Sequence, residues 1–92
     1  MPRMAQTDSD VRHFVVFQDK EAGTWSVEEF ADEDQEAAYA RLFALEDAFG
    51  GRRSIGIILL GAESLETLFY TNGDLFRGAR VDPPVIAAPA TT

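Results

Sequence analysis

The chain has 92 residues, 16 acidic against 8 basic side chains for a formal net charge of −8, 46% hydrophobic residues and no cysteine. That length closes one small core without a second domain, and the missing thiols exclude disulfide frameworks, thiolate nucleophiles and cysteine-type zinc sites, with a lean toward a reducing, cytoplasmic setting. The negative charge disfavours nucleic acid and anionic membrane surfaces as partners and suits a basic protein.

The acidic excess lies in the first half. Residues 1–49 carry twelve acidic and four basic side chains, and residues 50–92 carry four of each. Met1 to Asp10 is polar, lacks the apolar centre of a secretory signal and is expected to be a mobile N-terminal tail. No apolar run approaches the roughly 20 residues that span a bilayer. One α+β domain is expected over 11–77, and the Pro- and Ala-rich residues 78–92 are expected to form a mobile C-terminal tail.

His13 to Gln18 is β-branched and aromatic, and Thr24 to Phe30 alternates at Trp25, Ser26, Val27 and Glu28, so both segments predict strands. The loop between them ends on Gly23, which supplies the positive φ of a short hairpin turn. Trp25 and Val27 share one face while Phe30 falls on the other, which calls for a bulge at Glu28-Glu29 or the end of the strand there. Trp25 beside Tyr39 or Phe43 reads as core against a helix.

Asp32 with Gln35 three residues on fits a reciprocal helix cap, and Glu33, Asp34 and Glu36 complement the positive end of the helix dipole. A long helix to Phe49 follows. Its stripe is Ala38, Leu42, Leu45 and Phe49, flanked by Tyr39 and Phe43, with Arg41, Glu46 and Asp47 off it. Gly50-Gly51 ends this helix, with Arg52 and Arg53 near its negative end. These glycines follow a helix instead of preceding one, so the segment is not a phosphate loop.

Ser54 to Leu60 predicts a third strand with Ile55, Ile57 and Leu59 on one face, Ile58 and Leu60 on the other, and a gap at Gly56. Apolar residues on both faces mean that both are covered. Ser64 offers an N-cap, and Leu65, Leu68 and Phe69 keep helical spacing, predicting a short second helix. The competing reading of Leu68 to Phe76 is a hairpin around Asn72-Gly73.

The expected fold is a ββαβα two-layer sandwich: a small, mainly antiparallel sheet, one long amphipathic helix on one face and a short C-terminal helix. Strand order 2-1-3 makes the third strand an edge, and so does 1-2-3. Between Ser54 and Gly61 there is neither charge nor proline, the usual protections of an edge. A second copy is the expected cover, giving a homodimer through Ile55, Ile57, Ile58, Leu59 and Leu60 or through the outer sheet face; the alternative is that Leu65, Leu68, Phe69, Leu75 and Phe76 fold back and bury the strand within one chain.

The function expected is that of a small, acidic, non-enzymatic protein-protein interaction or regulatory module. Its outward surface is the run Glu28, Glu29, Asp32, Glu33, Asp34 and Glu36, whose carboxylates steer a basic partner. That run lacks the alternate-oxygen spacing of a calcium loop, and no catalytic residue, cofactor or metal ligand set is assigned. His13, the sole histidine, has no nucleophile elbow nearby and reads as a surface residue. The alternative is a small-molecule-binding protein or minor enzyme with Tyr70, His13 and Arg77 as the polar residues of a pocket between the sheet and the C-terminal segment or across a dimer interface. A third reading, nucleic-acid binding, needs Arg52, Arg53, Arg77 and Arg80 on one face away from the carboxylates.

Overall fold

A computed structural model describes residues 11–86. The expected N-terminal tail, 1–10, and residues 87–92 of the expected C-terminal tail, 78–92, lie outside the described residues. Four strands form one sheet in the order β3-β1-β2-β4, from β1 (Arg12–Asp19), β2 (Thr24–Phe30), β3 (Ile55–Ala62) and β4 (Ala79–Arg80). The helices are α1 (Gln35–Phe49) and α2 (Leu65–Thr71). No helix among the described residues is long and apolar enough to cross a membrane.

The β1-β2 hairpin pairs Asp19 with Thr24 and His13 with Phe30, and Gly23 takes φ +72° at the turn. Its register is unbroken to Phe30. The expected bulge at Glu28-Glu29 is therefore absent: Phe30 simply lies on the opposite face from Trp25, where it packs on the core under α1. β3 pairs antiparallel with β1 and runs two residues beyond its expected end. The fold is α+β as its periodicities indicate, and the mainly antiparallel sheet is mixed only because β4 runs parallel to β2.

Alternation along the strands divides the core in two. On one face Val15 is buried against Ala38 and Leu45 of α1, with Phe17, Phe30, Phe49, Ile57 and Leu59 around them. Phe17 and Phe49 meet edge to face with ring centroids 5.1 Å apart. On the other face Phe14, Val16 and Trp25 are buried together with Leu68 of α2. Trp25 thus turns away from α1, against expectation, and packs edge to face on Phe69 and Phe76 at 6.0 and 4.9 Å. Its partners come from α2 and the 3-10 turn Gly73–Phe76, so the short helix covers the face that α1 leaves open.

Ser64 caps α2, its hydroxyl accepting from the Thr67 N–H at 3.2 Å, and this helix excludes the Asn72-Gly73 hairpin. The expected cap at Asp32 does not form. Residues Asp32–Asp34 make a 3-10 turn ahead of α1, neither it nor α1 has a side-chain cap, and Asp32 Oδ1 lies 3.3 Å from His13 Nε2 instead. His13 is correspondingly only 13% exposed in its side chain, not the surface residue that a strand start suggests.

Residues 78–86, assigned by composition to the C-terminal tail, run beside β2 and onto the α1 face. Ala79 and Val81 donate to the Gly23 and Trp25 carbonyls, Arg41 Nη2 donates to the Pro84 carbonyl at 2.6 Å, and Ile86 packs on the α1 core. Gly78 makes the bend possible. Its φ is +95°, and a Cβ there would lie 2.2 Å from the Gly23 carbonyl oxygen.

Candidate functional site

The hydrogen-bond phase of β3 determines what its outer edge offers. In an antiparallel ladder the backbone groups of alternate residues point to the same neighbour. Lys20 N donates to the Ser54 carbonyl at 2.7 Å, directly in line with the β1-β3 register. Even-numbered residues of β3 therefore face β1, and Ile55, Ile57, Leu59 and Gly61 direct their N–H and C=O groups outward. The same phase carried across the hairpin points the Trp25 carbonyl away from β1, where Val81 N meets it at 2.8 Å. The Ile55 N–H turns back to the Arg52 carbonyl; the remaining outward groups have no protein partner among the described residues.

The side chains of this strand divide as expected. Ile55, Ile57 and Leu59 are half-buried toward α1, Leu60 is half-buried on the α2 face, and Ile58, 38% exposed, is the most open of the five. Ile58 borders a shallow groove with Thr71, Asn72, Asp74 and Leu75.

Helix α1 adds to the same side of the molecule. It packs most closely on β3 and β1, and Arg41 reaches toward β2, where its Nε donates to Glu28 Oε2 at 2.7 Å. At about 100° per residue, Tyr39 and Phe43 lie some 160° around the helix from Arg41, on the flank toward β3. They are 42% and 60% exposed and lean on each other with centroids 6.2 Å apart. The sequence stripe marked both as flanks of the core, but only the Arg41–Glu28 pair shows which way they turn.

The acidic run is dispersed by the strand it starts in. Glu28 and Glu29 lie on opposite faces of β2, Glu28 joined to Arg41 and Glu29 to Arg12, while Asp32 faces His13. Glu33, Asp34 and Glu36 remain exposed with no ion-pair partner among the described residues, at the positive end of α1. No group of three His, Cys, Asp or Glu side chains among the described residues could hold a metal ion.

Tyr70, His13 and Arg77 are not brought together. His13 lies at the start of β1 on the α1 face, Tyr70 is 89% exposed on α2 across the sheet, and Arg77 borders a cleft at the hairpin end with Lys20, Thr24 and Asp74. Arg52, Arg53, Arg77 and Arg80 do share that end. Two of them are engaged, Arg77 with Asp74 at 3.0 Å and Arg80 over the Trp25 ring at 5.4 Å, and Asp19 and Glu21 stand nearby. The chain matches no family model, no curated protein and no solved structure.

Proposed function

We propose that this protein is a small, non-enzymatic interaction module that works as a homodimer, joined through the outer edge of β3. The observation that carries this reading is the free edge itself, eight residues without charge or proline whose outward backbone groups, the Ile55 N–H apart, have no partner among the described residues. Exposed Ile58, Tyr39 and Phe43 beside it supply the apolar area that association needs.

A dimer joined edge to edge by a two-fold normal to the sheet keeps both α1 helices on one face. With strands about 4.8 Å apart and α1 over the line between β3 and β1, the two helix axes fall about 10 Å apart, a normal packing distance for helices. Tyr39 and Phe43 then face their counterparts. The acidic end at Glu33, Asp34 and Glu36 stays outward as the surface for a basic protein partner. The absence of cysteine suits work in the cytoplasm.

Light scattering after size exclusion tests this directly. A mass of two chains at micromolar concentration supports the reading, and a monomer at high micromolar concentration overturns it.

A further inference from the structure

Charge is distributed lengthwise along β3. Arg52 and Arg53 stand just before its first residue, Glu63 and Glu66 just after its last, and all four are exposed with no ion-pair partner among the described residues. Between these two charged ends the strand is neutral.

We infer that two copies of this chain pair their β3 strands antiparallel about Ile58, and that the arginines of each copy meet the glutamates of the other in two symmetric clamps. This rests on the dimer proposed above and specifies its geometry. A two-fold normal to the sheet requires facing residues to lie on the same face of the sheet, so the strand must centre on a residue and not between two. Ile58 is the centre that pairs outward-facing residues only with each other: Ile57 with the partner's Leu59, and Ile55 with the partner's Gly61.

With the Ile55 N–H already engaged, this register makes about six ladder hydrogen bonds, two in each Ile57–Leu59 pair and one in each Ile55–Gly61 pair. It sets the most exposed side chain of the strand against its own copy at the two-fold. It also places Arg53 opposite the partner's Glu63, with Arg52 and the partner's Glu66 within side-chain reach. Parallel pairing would instead gather four arginines at one end and four glutamates at the other, and like charges on neighbouring strands repel. The charges therefore select the orientation that the neutral strand leaves undetermined.

A charge-swap experiment tests this. In the R52E/R53E variant both clamps become acid against acid, and in E63R/E66R base against base; each homodimer is expected to weaken about 10- to 100-fold. An equimolar mixture restores opposite charges at both ends, so mass-labelled chains are expected to form the heterodimer preferentially in native mass spectrometry, at near wild-type affinity. All four positions are exposed, and circular dichroism checks that the folds persist; E63R alone spares the first turn of α2 and is expected to behave likewise. A wild-type dimer whose affinity is indifferent to both reversals, or whose reversed variants do not prefer each other, overturns the clamps and leaves the β3 interface standing. A wild-type monomer overturns the dimer reading and the clamps with it.

Discussion

Replacing Ile58 with lysine separates an interface from a core by the ratio of two effects. In the single chain Ile58 is 38% exposed at the outer edge, so an introduced lysine can lay its stem along the strand and carry its ammonium into water. The loss is confined to contacts already buried, about 1–2 kcal/mol, or roughly 5–15 °C in melting temperature for a domain this small. In the dimer centred on this residue two lysines meet across the two-fold. Two ammonium groups about 5 Å apart at an effective dielectric near 20 repel by about 3 kcal/mol, and the apolar burial lost from both copies adds about 1–2 kcal/mol. Together these weaken dimerisation on the order of a thousandfold. Sedimentation over a concentration series, alongside thermal melts followed by circular dichroism, reads both quantities. The expected outcome is a folded monomer. A variant that unfolds makes Ile58 a core residue, and one that dimerises as the wild type does refutes the position of the two-fold.

Gly78→Ala tests how the C-terminal segment is held: its φ of +95° and the 2.2 Å approach of a Cβ to the Gly23 oxygen are expected to release β4 at a cost of about 2–4 kcal/mol. The sole tryptophan reports it, since Trp25 Nε1 donates to the Gly78 carbonyl at 3.3 Å, and its emission is expected to shift to the red, whereas Gly73→Ala, with open space at that Cβ, is expected to leave it unchanged. Unchanged emission in Gly78→Ala would show that the segment does not depend on this bend. Arg41→Met keeps the aliphatic stem but removes the bonds to Glu28 and the Pro84 carbonyl; urea unfolding is expected to give a loss of about 2 kcal/mol, and a neutral result would show that this half-buried pair contributes nothing net.

The elements most legible in the sequence were those with a local side-chain signal. β-branched and aromatic content marked β1, alternation marked β2, the Ala38-Leu42-Leu45-Phe49 stripe marked α1, and the Ser64 hydroxyl in front of Leu65 marked α2 against the competing hairpin. β4 carried no such signal because it is a two-residue pairing, held by backbone bonds to Gly23 and Trp25 that any side chains would permit. Trp25 was assigned to the wrong helix for a related reason: strand alternation separates two faces without saying which helix covers which, and both faces here are apolar. The capping pattern at Asp32 failed because a long-range neighbour, His13, competes for the same carboxylate. For the candidate site, strand order and the lack of charge made the free edge visible. Which residues aim their backbone outward depends on one bond, from Lys20 to Ser54, that leaves no trace in composition or spacing.

The two margins of this sheet are treated differently, and the difference bears on what drives association. Beside β2 the margin is guarded twice: β4 occupies the carbonyls of Gly23 and Trp25, and the Arg12–Glu29 pair sets charge at the far end, a combination that discourages a further strand. Beside β3 the described residues leave a neutral ladder whose outward groups, the Ile55 N–H apart, have no protein partner and are open to solvent. Exchanging water for another strand gains each such group only about 1 kcal/mol net, which sets register more than affinity. In the proposed dimer the driving force must therefore come from apolar area next to the ladder, which Phe43 and Tyr39 on α1 and Ile58 on the α2 face supply. A domain this small has little core to spare for leaving such residues in water. Phe69, Tyr70, Val81 and Val85 are exposed elsewhere on the domain, so it is the combination of apolar side chains with a strand margin unguarded among the described residues that makes a second chain the fitting cover.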